Sequence, residues 1–514
     1  MSDLHRLAGV APTAIAVEDG VGQLSWAELD RRSTLVGNGV EALGAIPGTH
    51  VAICVSNRTE FIEASIGAWR AGCSYTPVKT GWTAREIGDV LDNAETRVVV
   101  TDREGARAAA SERGLPVIDL DADYEGWLAE QSDAPLTGER FGFKMSYTSG
   151  TTGRPKGVRL PGSGTTPFDQ AWAGLAYWAE VQQLPGEGAH LFVSRLFNGA
   201  PNTFGMGAMA RGATLRIMRS WDPAAALAAL AAPDVTSTIM VPTMFRQLLA
   251  LPGVDRSVRP APQIVTILHG GEPCPIPLKE AIADWFGEVL VEYYGFSEGG
   301  FTIVAPEEWR SRPGTVGRPI GGMTVKILDA DGHEVGPHTE GTVYFQPPPG
   351  RTFSYQNDSA KTAAAYRGDA YTVGDIGWLD EDGFLYLCGR EADVVVSAGV
   401  NVYPAEIEQA LFDVPGVRDL CAVGGPDDER AEAVVLFVAL AAGTDSDTVL
   451  AALDAAATER LAGYKRPRTT VVVDDIPRDQ TGKMLRRVLR DPLWEGHDHF
   501  AASGPSTSTQ RVPE

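Results

Sequence analysis

The sequence is poor in the features that mark a secreted scaffold, a membrane protein or a nucleic-acid binder. It has five cysteines in 514 residues, Cys54, Cys73, Cys274, Cys388 and Cys421. They are scattered, with no C-x-x-C pair, so neither a disulfide framework nor a cysteine-rich zinc site is expected. Reduced thiols in a cytoplasmic setting follow from that usage. Positive charge is scarce: 44 Lys and Arg against 67 Asp and Glu give a formal charge of −23. Such a balance argues against nucleic acid and anionic membrane surfaces as partners. No apolar run is long enough to span a bilayer, and the first residues carry no signal-peptide pattern. Internal repeats are also absent. What remains is a globular composition, 44% hydrophobic and 22% charged, in a chain too long for a single core.

The periodicity predicts alternating strands and helices. An amphipathic helix opens at Leu24-Ser25-Trp26 and runs to about Leu43, and Val51–Val55 reads as a buried strand. A helix over 60–70, a strand over 74–78, a helix capped by Thr83 and a strand over 97–100 follow. Later, 170–180 and 224–232 read as helices, and 237–241 and 264–268 as strands. This is the pattern of an α/β protein with a parallel sheet. Beyond Gly314 short strands and tight turns take over, among them a hairpin over 378–387 with Asp382-Gly383 in its turn. From Arg390 to about residue 490 the pattern is a compact α+β one. The last residues, 501–514, are polar and rich in Pro, Ser and Thr and read as disordered.

One stretch organises the chemistry: Tyr147-Thr148-Ser149-Gly150-Thr151-Thr152-Gly153-Arg154-Pro155-Lys156-Gly157. Glycines let backbone N–H groups close around an anion, hydroxyls add neutral donors and can touch a metal, and two cations balance charge. The spacing is not that of a P-loop, because Pro155 stands where the second glycine belongs. By composition alone it also fits a flexible surface loop.

The order of residues resembles the phosphate-binding loop of the adenylate-forming superfamily of acyl-CoA synthetases, aryl-CoA ligases, adenylation domains and luciferases. Further blocks are similar to that family's, in its order. The turn His269-Gly270-Gly271-Glu272-Pro273 follows a strand, at the edge where open α/β sheets bind ligands. Tyr294-Gly295-Phe296-Ser297-Glu298 resembles the block whose aromatic covers adenine and whose carboxylate holds Mg²⁺. Tyr371-Thr372-Val373-Gly374-Asp375 resembles the block whose Asp accepts both ribose hydroxyls, with Arg390 adding a donor. Ser397 to Glu408 resembles the thioesterification segment, with Gly399 and Val400 where pantetheine passes. Pro477 to Lys483 resembles the catalytic-lysine block.

The resemblance implies an acid–thiol ligase that uses ATP, Mg²⁺ and coenzyme A. Catalysis would fall to Lys483, Glu298 and Thr148, with Glu298 and Thr148 at the metal. Nucleotide would be held by Ser149, Gly150, Thr151, Thr152, Gly153, Lys156, Gly271, Glu272, Tyr294, Gly295, Ser297, Asp375 and Arg390. An acyl pocket is expected at Asn198, Phe197, Met240, Gly299 and Gly300, where small residues after Glu298 leave room for a bulky hydrophobic acid. The implied fold is a large N-terminal α/β domain with stacked sheets and a distorted β-barrel, over 1–389. A hinge at 390–392, a small mobile α+β domain over 393–495 and a tail over 496–514 complete it. Monomer and homodimer both fit.

Two positions depart from the family pattern. Asn198 stands where relatives carry His in an aromatic-His block, and Ala392 stands where they carry a hinge Asp or Lys. Asn carries no proton or charge. One expectation is therefore neutral variation; another is weakened adenylation, with a separate adenylating enzyme supplying the acyl-adenylate. A carrier protein as thiol acceptor, and an aryl acid as substrate, remain alternatives.

Overall fold

The computed structural model describes residues 4–148, 156–397, 399–427, 429–479 and 482–497. The chain forms two compact units, one of Met1–Val373 with Trp378–Tyr386, the other of Gly374–Gly377 with Leu387–Glu514.

The larger unit holds two parallel sheets. In the first, the order is Ser74–Pro77, His50–Cys54, Thr96–Thr101 and Val117–Asp119, all parallel. Every residue of His50–Cys54 is buried, which is why it reads as a continuous apolar run rather than an alternating one. In the second, parallel strands run from Ile15–Glu18 through Thr214–Ile217, Ala189–Phe192, Val235–Met240 and Thr266–His269 to Leu290–Gly295. Antiparallel strands Phe301–Val304 and Thr315–Pro319 continue it.

Helices Trp26–Ala42 and Thr59–Arg70 contribute to one core with residues of both sheets, Val51 and Ile53 on one side and Phe192, Leu215 and Ile217 on the other. Thr59–Arg70 is buried on nearly every face. Its two buried charges are paired, Arg70 with Glu139 at 2.7 Å and Glu63 with Arg32 at 2.7 Å, as burial of charge requires. The helix starts follow from local chemistry. Ser25 with Glu28 and Thr83 with Glu86 each form a reciprocal cap, side chain to backbone in both directions.

A short three-stranded sheet decides where the phosphate-loop stretch begins and ends. Ser146–Thr148 pairs with Lys156–Arg159, which pairs in turn with Ser354–Tyr355. The loop between the first two strands lies outside the described residues.

The smaller unit is a five-stranded sheet built on a long hairpin, Val417–Asp427 with Ala431–Leu440. Leu420, Ala422, Val434, Leu436 and Val438 face helices Pro404–Leu411 and Ser446–Arg460. Cys421, Val423, Val435, Phe437 and Ala439 face Ile476, Leu489 and Leu493. Both faces are covered, so the strand sequence AVVLFVAL is apolar without alternation.

Candidate active site

In the larger unit the sequence blocks meet around Glu298. This carboxylate is buried, and its Oε1 accepts from the Tyr355 hydroxyl at 2.7 Å. Tyr355 arrives through the short sheet, paired opposite Val158, two residues past Lys156. Lys156 Nζ lies 5.3 Å from the centre of the Tyr355 ring. Its pKa is pushed down to about 8, by loss of solvent first and then by Lys361, while Glu298 and Asp358 oppose the shift. Two lysines, one buried carboxylate and a tyrosine thus share one corner, at the end of the strand that leaves the phosphate loop.

The second oxygen of Glu298 makes no hydrogen bond among the described residues. A carboxylate oxygen without a hydrogen-bond partner fits Mg²⁺, which takes one or two carboxylates and completes its shell with phosphate and water. Thr148 ends its strand opposite Lys156. Ser149, Gly150, Thr151, Thr152 and Gly153 lie outside the described residues.

The glycines of the 269–273 and 294–298 blocks are set by close packing. A Cβ on Gly295 would sit 2.7 Å from the Phe301 ring, and one on Gly270 would sit 2.2 Å from the Tyr293 carbonyl oxygen. Both positions therefore need glycine. Gly271 has φ +80°, which favours glycine for a different reason. Tyr294 is half-buried and edge-on to Phe296, with centroids 5.8 Å apart. Ser297 is half-buried beside it. Glu272 accepts from Thr243 Oγ1 at 2.8 Å.

The expected acyl-pocket residues divide. Asn198 precedes helix Gly199–Arg211 at its N-cap, yet its side chain makes no cap hydrogen bond. Its Oδ1 is buried with no partner among the described residues. Gly199 lies close to two serines of the blocks: a Cβ there would be 3.5 Å from Ser146 Oγ and 4.0 Å from Ser297 Oγ. Gly299 has φ +108° and faces the Tyr371 hydroxyl. The expectation that Gly300 leaves room for substrate needs correction. A Cβ there would sit 2.1 Å from the tip of the Phe296 ring, so that space belongs to Phe296. Met240 has no accessible surface and Phe197 little. Arg195, whose direction the sequence leaves open, is exposed and donates to the Arg219 carbonyl at 3.4 Å.

In the smaller unit Asp375 is buried, and its Oδ1 accepts from Arg390 Nε at 3.0 Å. Lys483 sits on a tight turn. Asp479 N–H donates to the Lys483 carbonyl at 2.8 Å, and the Lys483 N–H donates to Asp479 Oδ1 at 3.1 Å. Arg478 locks the turn by donating to the Gly482 carbonyl at 2.8 Å and to Asp419 at 2.9 Å. The Lys483 ammonium is held below the ordinary lysine value, by loss of solvent first and then by Arg390; Asp375, Asp479 and Asp393 oppose. Ala392 lies in the 3₁₀ turn Glu391–Asp393, and its carbonyl accepts from Arg490 at 3.3 Å. Gly399 has φ +79° with open space where a Cβ would be, and Val400 beside it is exposed.

Two family models match the chain, that of the AMP-binding enzymes over residues 4–350 and that of their C-terminal domain over 406–483. The chain belongs to the AMP-binding enzyme family. It is an adenylate-forming acid–thiol ligase of the same superfamily as the acyl-CoA synthetases. The 2-succinylbenzoate–CoA ligase of Geobacillus kaustophilus (strain HTA426) is 31% identical over 503 residues, covering 95% of this chain and 96% of that protein. The long-chain-fatty-acid–CoA ligase FadD13 of Mycobacterium tuberculosis is 28% identical over 502 residues, covering 95% and 97%. Among solved structures, ATP-bound MatB from Rhodopseudomonas palustris superposes with a TM-score of 0.84 at 26% identity, covering 96% of this chain and 99% of the other. No helix among the described residues is long and apolar enough to cross a membrane.

Tyr355 and Lys361 are the functional candidates that sequence reading missed. Their signal is tertiary: the Tyr355–Glu298 bond joins residues 57 apart in the chain.

Proposed function

We propose that this ligase converts a hydrophobic carboxylic acid to its CoA thioester through an acyl-adenylate. The observation that carries the reading is the corner of Glu298, Tyr355 and Lys156 at the mouth of the phosphate loop. In the first step a substrate carboxylate oxygen attacks the α-phosphorus of ATP and pyrophosphate leaves. Lys156 and the loop bind phosphate, and Glu298, which accepts from Tyr355, would hold Mg²⁺ with Thr148. The ion, when bound, neutralises charge on the phosphate oxygens. Tyr294, Gly271, Glu272, Gly295 and Ser297 receive the base, and Asp375 with Arg390 receives the ribose. Lys483 meets the charge that grows on oxygen. In the second step the CoA sulfur attacks the acyl carbonyl and AMP leaves, with Gly399 and Val400 along the thiol's path. Residues 390–392 serve as hinge between the two steps.

The apolar Phe197, which keeps a little accessible surface, supports a hydrophobic acid body, long-chain, steroid-like, terpenoid or aryl. The test is to follow pyrophosphate and acyl-CoA separately with MgATP, CoA and a panel of such acids. Pyrophosphate without acyl-CoA would move the acceptor to a carrier protein. No pyrophosphate with any acid would overturn the reading.

Lys156 makes ATP use pH-dependent. Its proton leaves near pH 8 in the free protein, so kcat/KM for ATP should fall as pH rises through about 8. Lys156→Arg, charged throughout that range, should flatten the decline.

A second reading concerns Asn198, whose Oδ1 has no partner among the described residues. An uncharged side chain there favours a weakened first step and a supplied adenylate. Asn198→His should then raise pyrophosphate release several-fold; an unchanged rate sinks that reading.

A further inference from the structure

Glu298 lies in a turn past strand Leu290–Gly295, closed by the Gly299 N–H donating to the Phe296 carbonyl at 3.1 Å. Turns run over protein surfaces, and an acid is almost never fully buried unless it is paired. This carboxylate is buried, yet it has no ion-pair partner among the described residues. Its Oε1 accepts from the Tyr355 hydroxyl at 2.7 Å, and Tyr355 is its one hydrogen-bond donor among those residues. The Tyr371 hydroxyl, buried near Gly299, has no partner there. A carboxylate swivels easily about its last bond. With a single donor, the position of that donor fixes where the other oxygen points.

Tyr355 is itself held on several sides. Its strand pairs with Lys156–Arg159, with Tyr355 opposite Val158. Its N–H donates to Thr362 Oγ1 at 2.9 Å, and that hydroxyl donates to the Asp358 carbonyl at 2.8 Å. Its ring packs edge-on against Phe353, with centroids 5.2 Å apart, and Lys156 Nζ lies 5.3 Å from the ring centre. Phenylalanine would make every one of these contacts. The hydroxyl has one partner among the described residues, the Glu298 carboxylate.

We propose that Tyr355 is a positioning residue for Mg²⁺-dependent ATP binding: its hydroxyl holds one oxygen of Glu298 and so turns the other toward the ion. This rests on the reading above that Glu298 holds Mg²⁺ in an ATP-using ligase. A hydrogen bond that orients a metal-binding carboxylate changes metal affinity by about 10- to 100-fold.

The experiment titrates ATP into the full chain calorimetrically, in EDTA and at stepped Mg²⁺ concentrations. Tyr355→Phe should raise the Mg²⁺ concentration needed for half-maximal tightening of ATP about 10- to 100-fold, with ATP affinity in EDTA unchanged. Excess Mg²⁺ should restore its pyrophosphate release. Glu298→Gln should raise the Mg²⁺ requirement as well, and Tyr355→Phe should add nothing in that background, because the hydroxyl acts through the carboxylate. An equal loss of ATP affinity with and without Mg²⁺ would place the hydroxyl on phosphate or in the fold, and overturn the inference. So would losses that add in the double variant, or a wild-type Mg²⁺ requirement in Tyr355→Phe. Should Tyr355→Phe fail to fold, Thr362→Val, which removes the acceptor of the Tyr355 N–H, carries the test: its Mg²⁺ requirement should rise by a smaller factor, and no rise overturns the inference. These outcomes leave the ligase reading intact. A wild-type Mg²⁺ requirement in Glu298→Gln would instead remove the metal role of Glu298 together with the inference, and a wild type that binds no ATP would remove the ligase reading too.

Discussion

Lys483→Ala should cut pyrophosphate release from free acid by about 10²- to 10³-fold, the cost of removing one preorganised donor from a developing oxyanion. Thioester formation from a preformed acyl-adenylate should change little. The asymmetry follows from where charge grows. In the first step a carboxylate approaches an anionic phosphate, and negative charge accumulates on oxygen with no proton to move. In the second, a thiol displaces AMP, and the cation has no comparable task. The turn itself should survive the substitution. It is held by the Asp479 carboxylate on the Lys483 backbone N–H and by Arg478 on the Gly482 carbonyl, none of which uses the lysine side chain. Equal losses in both half-reactions, with an unchanged melting temperature, would show that Lys483 does not act on the adenylation step. Lys483→Arg keeps the charge but changes its shape, so it should recover only part of the first step.

The blocks were legible because each packs several unusual residues into a short window, and because local chemistry dictates them. The cap at Thr83 and the fully buried strand His50–Cys54 were legible for the same reason. The predicted helices and strands of 50–101 lie within a residue or two of those observed. Contacts between distant segments were not legible. Tyr355 stands in an ordinary polar stretch until the strand pairing carries its hydroxyl to Glu298. Lys144 precedes the phosphate-loop motif by three residues, and its partners Gly199 and Thr203 are 55 and 59 residues away. Gly300 illustrates the opposite error. A small residue beside a site looks like space for a ligand, but the protein fills the space with Phe296. Even the N-terminal helix Leu4–Val10 was missed, being short and anchored by tertiary contacts, a fully buried Leu4 and His5 bonds to Asp30 and Glu139.

Lys279→Met should be among the most destabilising conservative changes in the larger unit, about 3–5 kcal/mol, seen as a lower denaturant midpoint. Lys279 is buried, 2.7 Å from Glu292 Oε2, and its ammonium lies 4.2 Å over the Trp309 ring. His269, fully buried 3.9 Å from the same oxygen, is a poor substitute for the cation: burial, the larger of the two causes that hold its pKa well below the ordinary value, persists when Lys279 is removed. Burial already raises the Glu292 pKa against the pull of Lys279. Without Lys279 that carboxyl has a folded pKa far above its unfolded value of about 4.3. The folded state of the variant then holds a proton that the unfolded state releases. Its stability is therefore greatest below the unfolded pKa and declines as pH rises toward the folded one. Lys279→Met/Glu292→Leu removes both charges and should regain most of the loss at neutral pH. A single variant as stable as the double, with no pH dependence, would mean the pair contributes nothing. The consequence reaches the site, because strand Leu290–Gly295 carries Glu292 and Tyr294 together. A strained Glu292 should therefore weaken ATP binding in Lys279→Met, and the double variant should restore it.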